Sequence, residues 1–214
     1  MSAHSPRSTT GRNTAAVGRP RTFDLETALQ KALEVFWQKG YEGTSLPDLT
    51  AAMGINRPSL YAAFGNKQQL FLKAIERYEN RPGAFFYPSM QEPTAYRVAE
   101  RILLGAAAAH SDPVYPTGCL MVQAALTCSD SGQAVKHALI ARRKAGFEQL
   151  VQRFEQAKAC GDLPDDADPQ GLAGFIITVV QGMSVQATNG AGAEQLHTIA
   201  CTALKAFPAS QQQV

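Results

Sequence analysis

Few residues in this chain are arranged for redox, metal or nucleophilic chemistry. Its cysteines, Cys119, Cys128, Cys160 and Cys201, are widely separated and form no C-x-x-C pair. With nothing to suggest secretion, they read as reduced thiols in a cytoplasmic protein, not as a disulfide frame. The histidines, His4, His110, His137 and His197, are scattered without H-x-x-x-H spacing, so no metal site is expected. No glycine loop of phosphate-cradling spacing occurs, and no His is paired with Cys or Ser in a nucleophile context; an enzyme is therefore not expected, and no cofactor is implied. No apolar run approaches the ~18 residues of a membrane span. The first residues also lack the hydrophobic region of a signal peptide. Nowhere does an alternating, strand-like pattern appear, which leaves an all-α fold.

The chain has 214 residues, enough for one small and one medium domain, and 45% of them are apolar. Acids are missing from residues 1–22, which hold Arg7, Arg12, Arg19 and Arg21 among Ser, Thr and Gly; most of this stretch is expected to be a disordered basic arm, assigned to 1–18. Net charge is only +2, but it is unevenly spread. Residues 1–80 carry ten Lys/Arg against seven Asp/Glu, whereas 81–214 carry ten against eleven. The positive bias belongs to the N-terminal side. Arg19 and Arg21 are placed to reach a DNA groove or phosphates, as homeodomain arms do; a solvated basic tail is the competing reading.

Residues 24–80 are densely punctuated by helix starts and stops. Asp24 is placed to cap a first helix, with Phe23 before it as a hydrophobic staple. Leu25, Ala28, Leu29, Ala32, Leu33, Phe36 and Trp37 recur at helical spacing, and Gly40 stops the run. Thr44 or Ser45 can cap a second helix, with Pro47 and Asp48 in its first turn. That helix ends at Met53-Gly54. Asn56 can cap a third, carrying Pro58 in its first turn and ending at Gly65, and Asn66 with Gln69 forms an N-x-x-Q capping box for a fourth. Two short helices joined by a tight glycine turn behind a long amphipathic one make the three-helix unit that seats a recognition helix in the DNA major groove.

On that reading the recognition helix covers about 57–63. Arg57 can pair with guanine or grip a phosphate, Ser59 can meet a base edge or phosphate, and the methyls of Ala62 and Ala63 can meet thymine. Asn56 and Pro58 sit at the start of the same helix. Thr44, Ser45, Tyr61 and Lys67 are of the types that hold phosphates and set register. From Gly18 to about Asn80 the chain resembles the DNA-binding domain of the TetR/AcrR family of bacterial regulators. The resemblance is carried by Gly40-Tyr41-Glu42-Gly43-Thr44-Ser45, Ala51-Ala52-Met53-Gly54-Ile55, Ser59-Leu60-Tyr61, Phe64 and Lys67. The family often has His-Tyr after the recognition tyrosine; Ala62-Ala63 here is similar to a subgroup reading LYAAFG, so the operator sequence cannot be carried over. The resemblance implies an all-helical homodimer that binds a palindromic operator and releases it when a small effector occupies the C-terminal domain. It places a helix-turn-helix head at 19–80 and a ligand-binding and dimerisation domain at 81–214.

Beyond Tyr78 the chain reads as helices over about 93–109, 118–128, 131–159, 168–188 and 193–206, separated by Pro and Gly. The last two carry apolar stripes flanked by small residues. The resemblance assigns a dimer interface to Gly171, Gly174, Phe175, Thr178, Val179, Gly182, Leu196, Ile199 and Ala203; burial in the monomer's own core is the alternative. Phe86, Met90, Tyr96, Leu103, Tyr115, Met121, Phe147, Phe154 and Phe175 are candidate walls of an effector cavity, each competing with ordinary core packing. No charged cluster points to a charged effector, and Arg142-Arg143-Lys144 reads as a solvated helix face. Two other functions fit parts of the sequence. Cys119 or Cys128 as an oxidisable thiol would make a thiol-redox-responsive regulator of the same fold. A shape-reading architectural DNA protein is the other, though it would not need so large an apolar helical C-terminal region.

Overall fold

The structure, a computed structural model, describes residues 23–126 and 132–208. The described residues form helices and no strand. In chain order the helices are α1 (Leu25–Gly43), α2 (Leu46–Met53), α3 (Arg57–Phe64), α4 (Lys67–Glu79), α5 (Phe86–Ser89), α6 (Ala95–Ser111), α7 (Leu120–Leu126), α8 (Gln133–Ala159), α9 (Pro169–Thr188) and α10 (Ala193–Lys205). Arg19, Arg21 and Cys128 lie outside the described residues.

Local chemistry sets the N-terminal boundaries. Asp24 accepts from the Glu26 and Thr27 amides, which holds its carboxyl below the usual range, first through the Thr27 hydroxyl. Gly40, at φ 70 and ψ 174, breaks the helical path inside α1, a conformation that favours glycine. Ser45 and Asp48 close a reciprocal capping box on α2, and Asn66 with Gln69 does the same on α4. Between α2 and α3, Gly54 adopts a left-handed conformation (φ 65, ψ 31), and Ile55 N donates to Thr50 O at 3.2 Å.

Long-range ties then fix these helices as a unit. Arg77 on α4 reaches back to α1, its Nε donating to Gln30 Oε1 at 2.8 Å and its Nη1 pairing with Glu26. Lys39 on α1 meets Asp48 on α2 at 2.6 Å. Leu33, Phe36, Trp37, Leu49, Leu60, Leu70, Phe71 and Ile75 fill the space between them with almost no exposure. This apolar cluster does not stop at residue 80. Leu120 and Ala124 of α7, and Val135 and Leu139 of α8, are buried in it, and the Tyr115 ring stacks on Trp37 at 5.8 Å.

A second cluster forms the body, where α6 packs on α9 and α10, and α8 on α9. Ile102, Leu103, Phe154, Ile176, Leu196 and Ala200 are sealed inside it. Asp162, beyond α8, accepts from the Ala95 amide at 2.5 Å and so caps α6 from a distance. Arg153 holds the α5–α6 connection through the Met90 and Glu92 carbonyls. By length and composition α9 is apolar enough to cross a membrane, but its inner side packs against α6, α8 and α10. Its outer side carries Phe175 and Val185, which are exposed by 38% and 45%.

Candidate nucleic-acid interface and effector cavity

The α2–turn–α3 unit presents one clear outer face. Leu60 and Phe64 anchor α3 inward, which turns Arg57, Pro58, Tyr61 and Ala62 outward as two i, i+4 pairs. Tyr61 is 45% exposed. Ser59 and Ala63 are half-buried at the flanks. Asn56 is exposed, but its carbonyl oxygen already accepts from Ser59 N at 2.9 Å, so the side chain is first a helix cap. Ser45 is likewise exposed and engaged with Asp48. At the far end of α3, Lys73 from α4 reaches the Ala63 carbonyl and the Phe64 ring, placing a cation at the helix C-terminus.

Thr44 differs from expectation, and Lys67 has a second contact. Thr44 is buried, and its hydroxyl donates to Gly40 O at 2.6 Å, closing the break in α1. With its donor used and its side chain turned inward, it is no side-chain phosphate contact. Lys67 opens α4 half-buried, its ammonium 4.5 Å from the centre of the Tyr41 ring. Burial lowers its pKa from the ordinary lysine value, against the opposing charge of Glu42.

Between head and body lies a partly open cavity of about 140 Å³. Of the candidate wall residues, Phe86, Met121 and Phe147 line it. The other expected wall residues go elsewhere. Leu103 and Phe154 are sealed in the body core, and Met90 packs against that core. Tyr96 meets Phe207, Tyr115 stacks on Trp37, and Phe175 faces outward. In each case periodicity marked an apolar residue correctly but left open which helix its face would meet.

The polar residues at the cavity were not anticipated. Tyr78 donates to Cys119 Sγ at 3.2 Å, and burial, followed by the neighbouring thiol, pushes its pKa well above 10.0. Cys119 is half-buried, with its amide on Ser184 Oγ at 2.8 Å. Arg142 is not the solvated residue expected. It pairs with Glu79 at the end of α4, whose carboxyl burial raises while Arg142 pulls it the other way. Arg143 and Gln181 also line the cavity. His110 is 2% exposed, and neither ring nitrogen makes a hydrogen bond. Burial lowers its pKa from 6.5 to about 4, although the nearby Gly118 and Val180 carbonyls favour the charged form. One signal did mark it: His110 continues the i, i+3/i+4 core face of Leu103, Ala106 and Ala107. Among the described residues, no group of three or more His, Cys, Asp and Glu is placed to hold a metal ion.

On the outer face, Phe175 and Val179 border a shallow apolar groove with Thr198, Ile199, Thr202 and Ala203. Gly171, Thr178 and Gly182 are exposed on α9, and Gly174 is half-buried. Leu196 is a correction: it points into the chain's own core with no exposure. Ala203 is 7% exposed and meets the groove only at its edge.

A three-helix head with an outward-facing second helix of a helix-turn-helix, joined to a helical body containing a cavity, defines a transcription regulator and not an enzyme. The chain belongs to the tetR family of bacterial regulatory proteins. Residues 28–74 match that family's N-terminal domain, and residues 100–201 match the tetracyclin repressor-like C-terminal domain. It is 36% identical over 193 residues to the HTH-type transcriptional repressor ComR of Escherichia coli, covering 89% of this chain and 92% of that one. It is 29% identical to the repressor BdcR of the same organism, with the same coverage. Among solved structures it resembles a cysteine-substituted form of the TetR family regulator CifR, complexed with 26bp double-strand operator DNA. That match has a TM-score of 0.83 and 42% identity, over 89% of this chain and 100% of CifR.

Proposed function

We propose that the chain is a dimeric repressor that binds a palindromic operator and leaves it when a small molecule fills the cavity between head and body. The observation that carries this reading is the outer face of α3. Arg57, Pro58, Tyr61 and Ala62 form a strip of charge, ring and methyl on a helix anchored from behind, suited to base edges. Ser45, Ser59 and Lys67, with the cap residue Asn56, flank that strip and hold the phosphates. Arg19 and Arg21 extend the contact from the arm. The resemblance to CifR, a regulator solved on its operator, supports the same mode of binding here.

Two recognition helices must meet half-sites one helical turn apart, ~34 Å, so the DNA-competent form is a pair of chains. The outer face of α9 and α10, with Phe175, Val179, Ile199 and the small residues Gly171, Gly174, Thr178 and Gly182, is the surface for that pairing. The DNA-reading helices end near residue 80, and α7 with the start of α8 closes their core from the C-terminal part of the chain. Tyr78 and Glu79, in the last turn of α4, line the cavity. An occupant there displaces the helix that carries the head and spoils the spacing of the pair. A coupling of about 1–3 kcal/mol is sufficient for such a switch.

The test is footprinting and mobility shift on the intergenic DNA beside the protein's own gene. Protection of one palindrome by a two-chain species is expected. Uniform coating without a preferred site would overturn the reading in favour of an architectural role.

A further inference from the structure

We propose that the cavity is a receptor site for a small uncharged molecule with a compact, ring-sized apolar body and one hydrogen-bonding oxygen, held by that oxygen on the His110 imidazole. The assignment deepens the effector-released reading and rests on it for its regulatory consequence, whereas binding is measured separately.

Size comes first. The volume of about 140 Å³ is close to that of an engineered apolar cavity of about 150 Å³ that holds benzene. Phe86, Met121, Phe147, Ile177 and Val180 make the wall predominantly apolar.

Polarity comes from His110. It lines the cavity and is 2% exposed; neither ring nitrogen has a partner of good hydrogen-bond geometry, and the Gly118 and Val180 carbonyls lie on the ring's donor side. A neutral imidazole has one donor and one acceptor; the Gly118 and Val180 carbonyls can take the donor, so the acceptor nitrogen is the one a ligand hydroxyl satisfies. An acceptor nitrogen left unmade in a buried place is costly, and a ligand hydroxyl removes that cost. Among the other polar lining groups, Tyr78 is engaged with Cys119 and Glu79 with Arg142, while Arg143 and Gln181 also reach the cavity. Binding an ion would mean breaking the Glu79–Arg142 pair or relying on Arg143 alone, at an apolar site that penalises a charge.

Phenol, toluene and benzoate are the probes, titrated into the full-length protein. Binding is read by calorimetry and by the emission of Trp37, the chain's one tryptophan, whose ring meets Tyr78 at 4.9 Å. Phenol is expected to bind saturably, about fivefold tighter than toluene for one added hydrogen bond, and benzoate more weakly than phenol. His110→Phe should erase the preference for phenol while leaving toluene binding unchanged. Gly146→Ala is the second variant, because its new Cβ would stand 3.2 Å from Phe86 Cε1 and crowd the cavity wall that Gly146 and Phe86 share; phenol and toluene should both weaken. The assignment is overturned if phenol does not saturate, if benzoate binds tighter, if the phenol preference survives His110→Phe, or if Gly146→Ala leaves both affinities unchanged. A mobility shift on operator DNA in the same titration separates the two readings. Phenol bound without DNA release overturns the regulatory reading and leaves the site standing. Release in a variant that no longer binds phenol here overturns the site and leaves the regulatory reading.

Discussion

The Tyr78 hydroxyl donates to Cys119 Sγ across 3.2 Å, joining the last turn of α4 to the segment that leads into α7. The same tyrosine ring lies edge-on to Trp37 at 4.9 Å. One side chain therefore touches the head core, the cavity and the body. Tyr78→Phe keeps the ring and removes only the donor. We expect a loss of about 0.5–1.5 kcal/mol in denaturant unfolding, as for a single intramolecular hydrogen bond, with operator affinity unchanged. A mutant that lost DNA binding would show that the bond sets the head's position as well as its stability.

Arg57 is the charged group at the N-terminal end of the outward face of α3. Arg57→Ala should weaken specific binding by about 1–3 kcal/mol and relax preference at one operator position. Selection from a randomised operator library reads both effects. Unchanged preference at every position would remove Arg57 from base readout.

Lys67 has a different role. Its replacement by Ala should weaken binding to all sequences alike and reduce the salt slope by about 1. Because its ammonium also lies 4.5 Å over Tyr41, the variant should lose about 0.5–1 kcal/mol of folding stability. Mobility shifts at several salt concentrations, paired with thermal unfolding, separate the two losses.

His110 predicts a pH dependence of stability. Its folded pKa, about 4, lies below the ordinary 6.5, so the fold favours the neutral ring. That contribution is complete above pH 6.5 and is lost as pH falls from there through about 4. From a shift of this size the loss approaches about 3 kcal/mol at the acid end. His110→Phe should flatten this limb of a stability profile between pH 7 and 4. If the limb is equally steep in the variant, another group is responsible.

Phe175 is 38% exposed on the outer face of α9. Phe175→Arg should shift the protein from two-chain to one-chain species in sedimentation, with little effect on its fold. Operator affinity should fall with it, because one head alone cannot engage both half-sites. Retention of the pair would place the interface elsewhere.

The legible part of the sequence was the part governed by near neighbours. Asp24, Ser45 with Asp48, Asn56, and Asn66 with Gln69 each cap a helix across two or three residues, so their roles follow from spacing alone. The four-residue α5 carries no side-chain cap and was not anticipated. Arg77 with Glu26, Tyr78 with Cys119, and Glu79 with Arg142 are separated by 51, 41 and 63 residues. No periodicity encodes such meetings. They depend on how whole helices pack, which is also why Phe86 and Phe147 come to line the cavity while Leu103 and Phe154 lie in the body core. Thr44 was misread because its local alternative, a bond to the carbonyl freed by the Gly40 break, needs a backbone kink that residue types alone do not announce.

The shared burial of α7 with the head has a consequence for anyone exchanging parts between regulators of this kind. A junction placed at residue 80 would strip Leu120 and Ala124 from the cluster, uncover Trp37, and leave Tyr115 with nothing to stack on. A graft that carries its own α7 and the start of α8 along with the head keeps that seam closed. The natural unit of exchange is therefore discontinuous in the chain: the first four helices together with a short helix, and the first turns of the long one after it, that arrive some forty residues later.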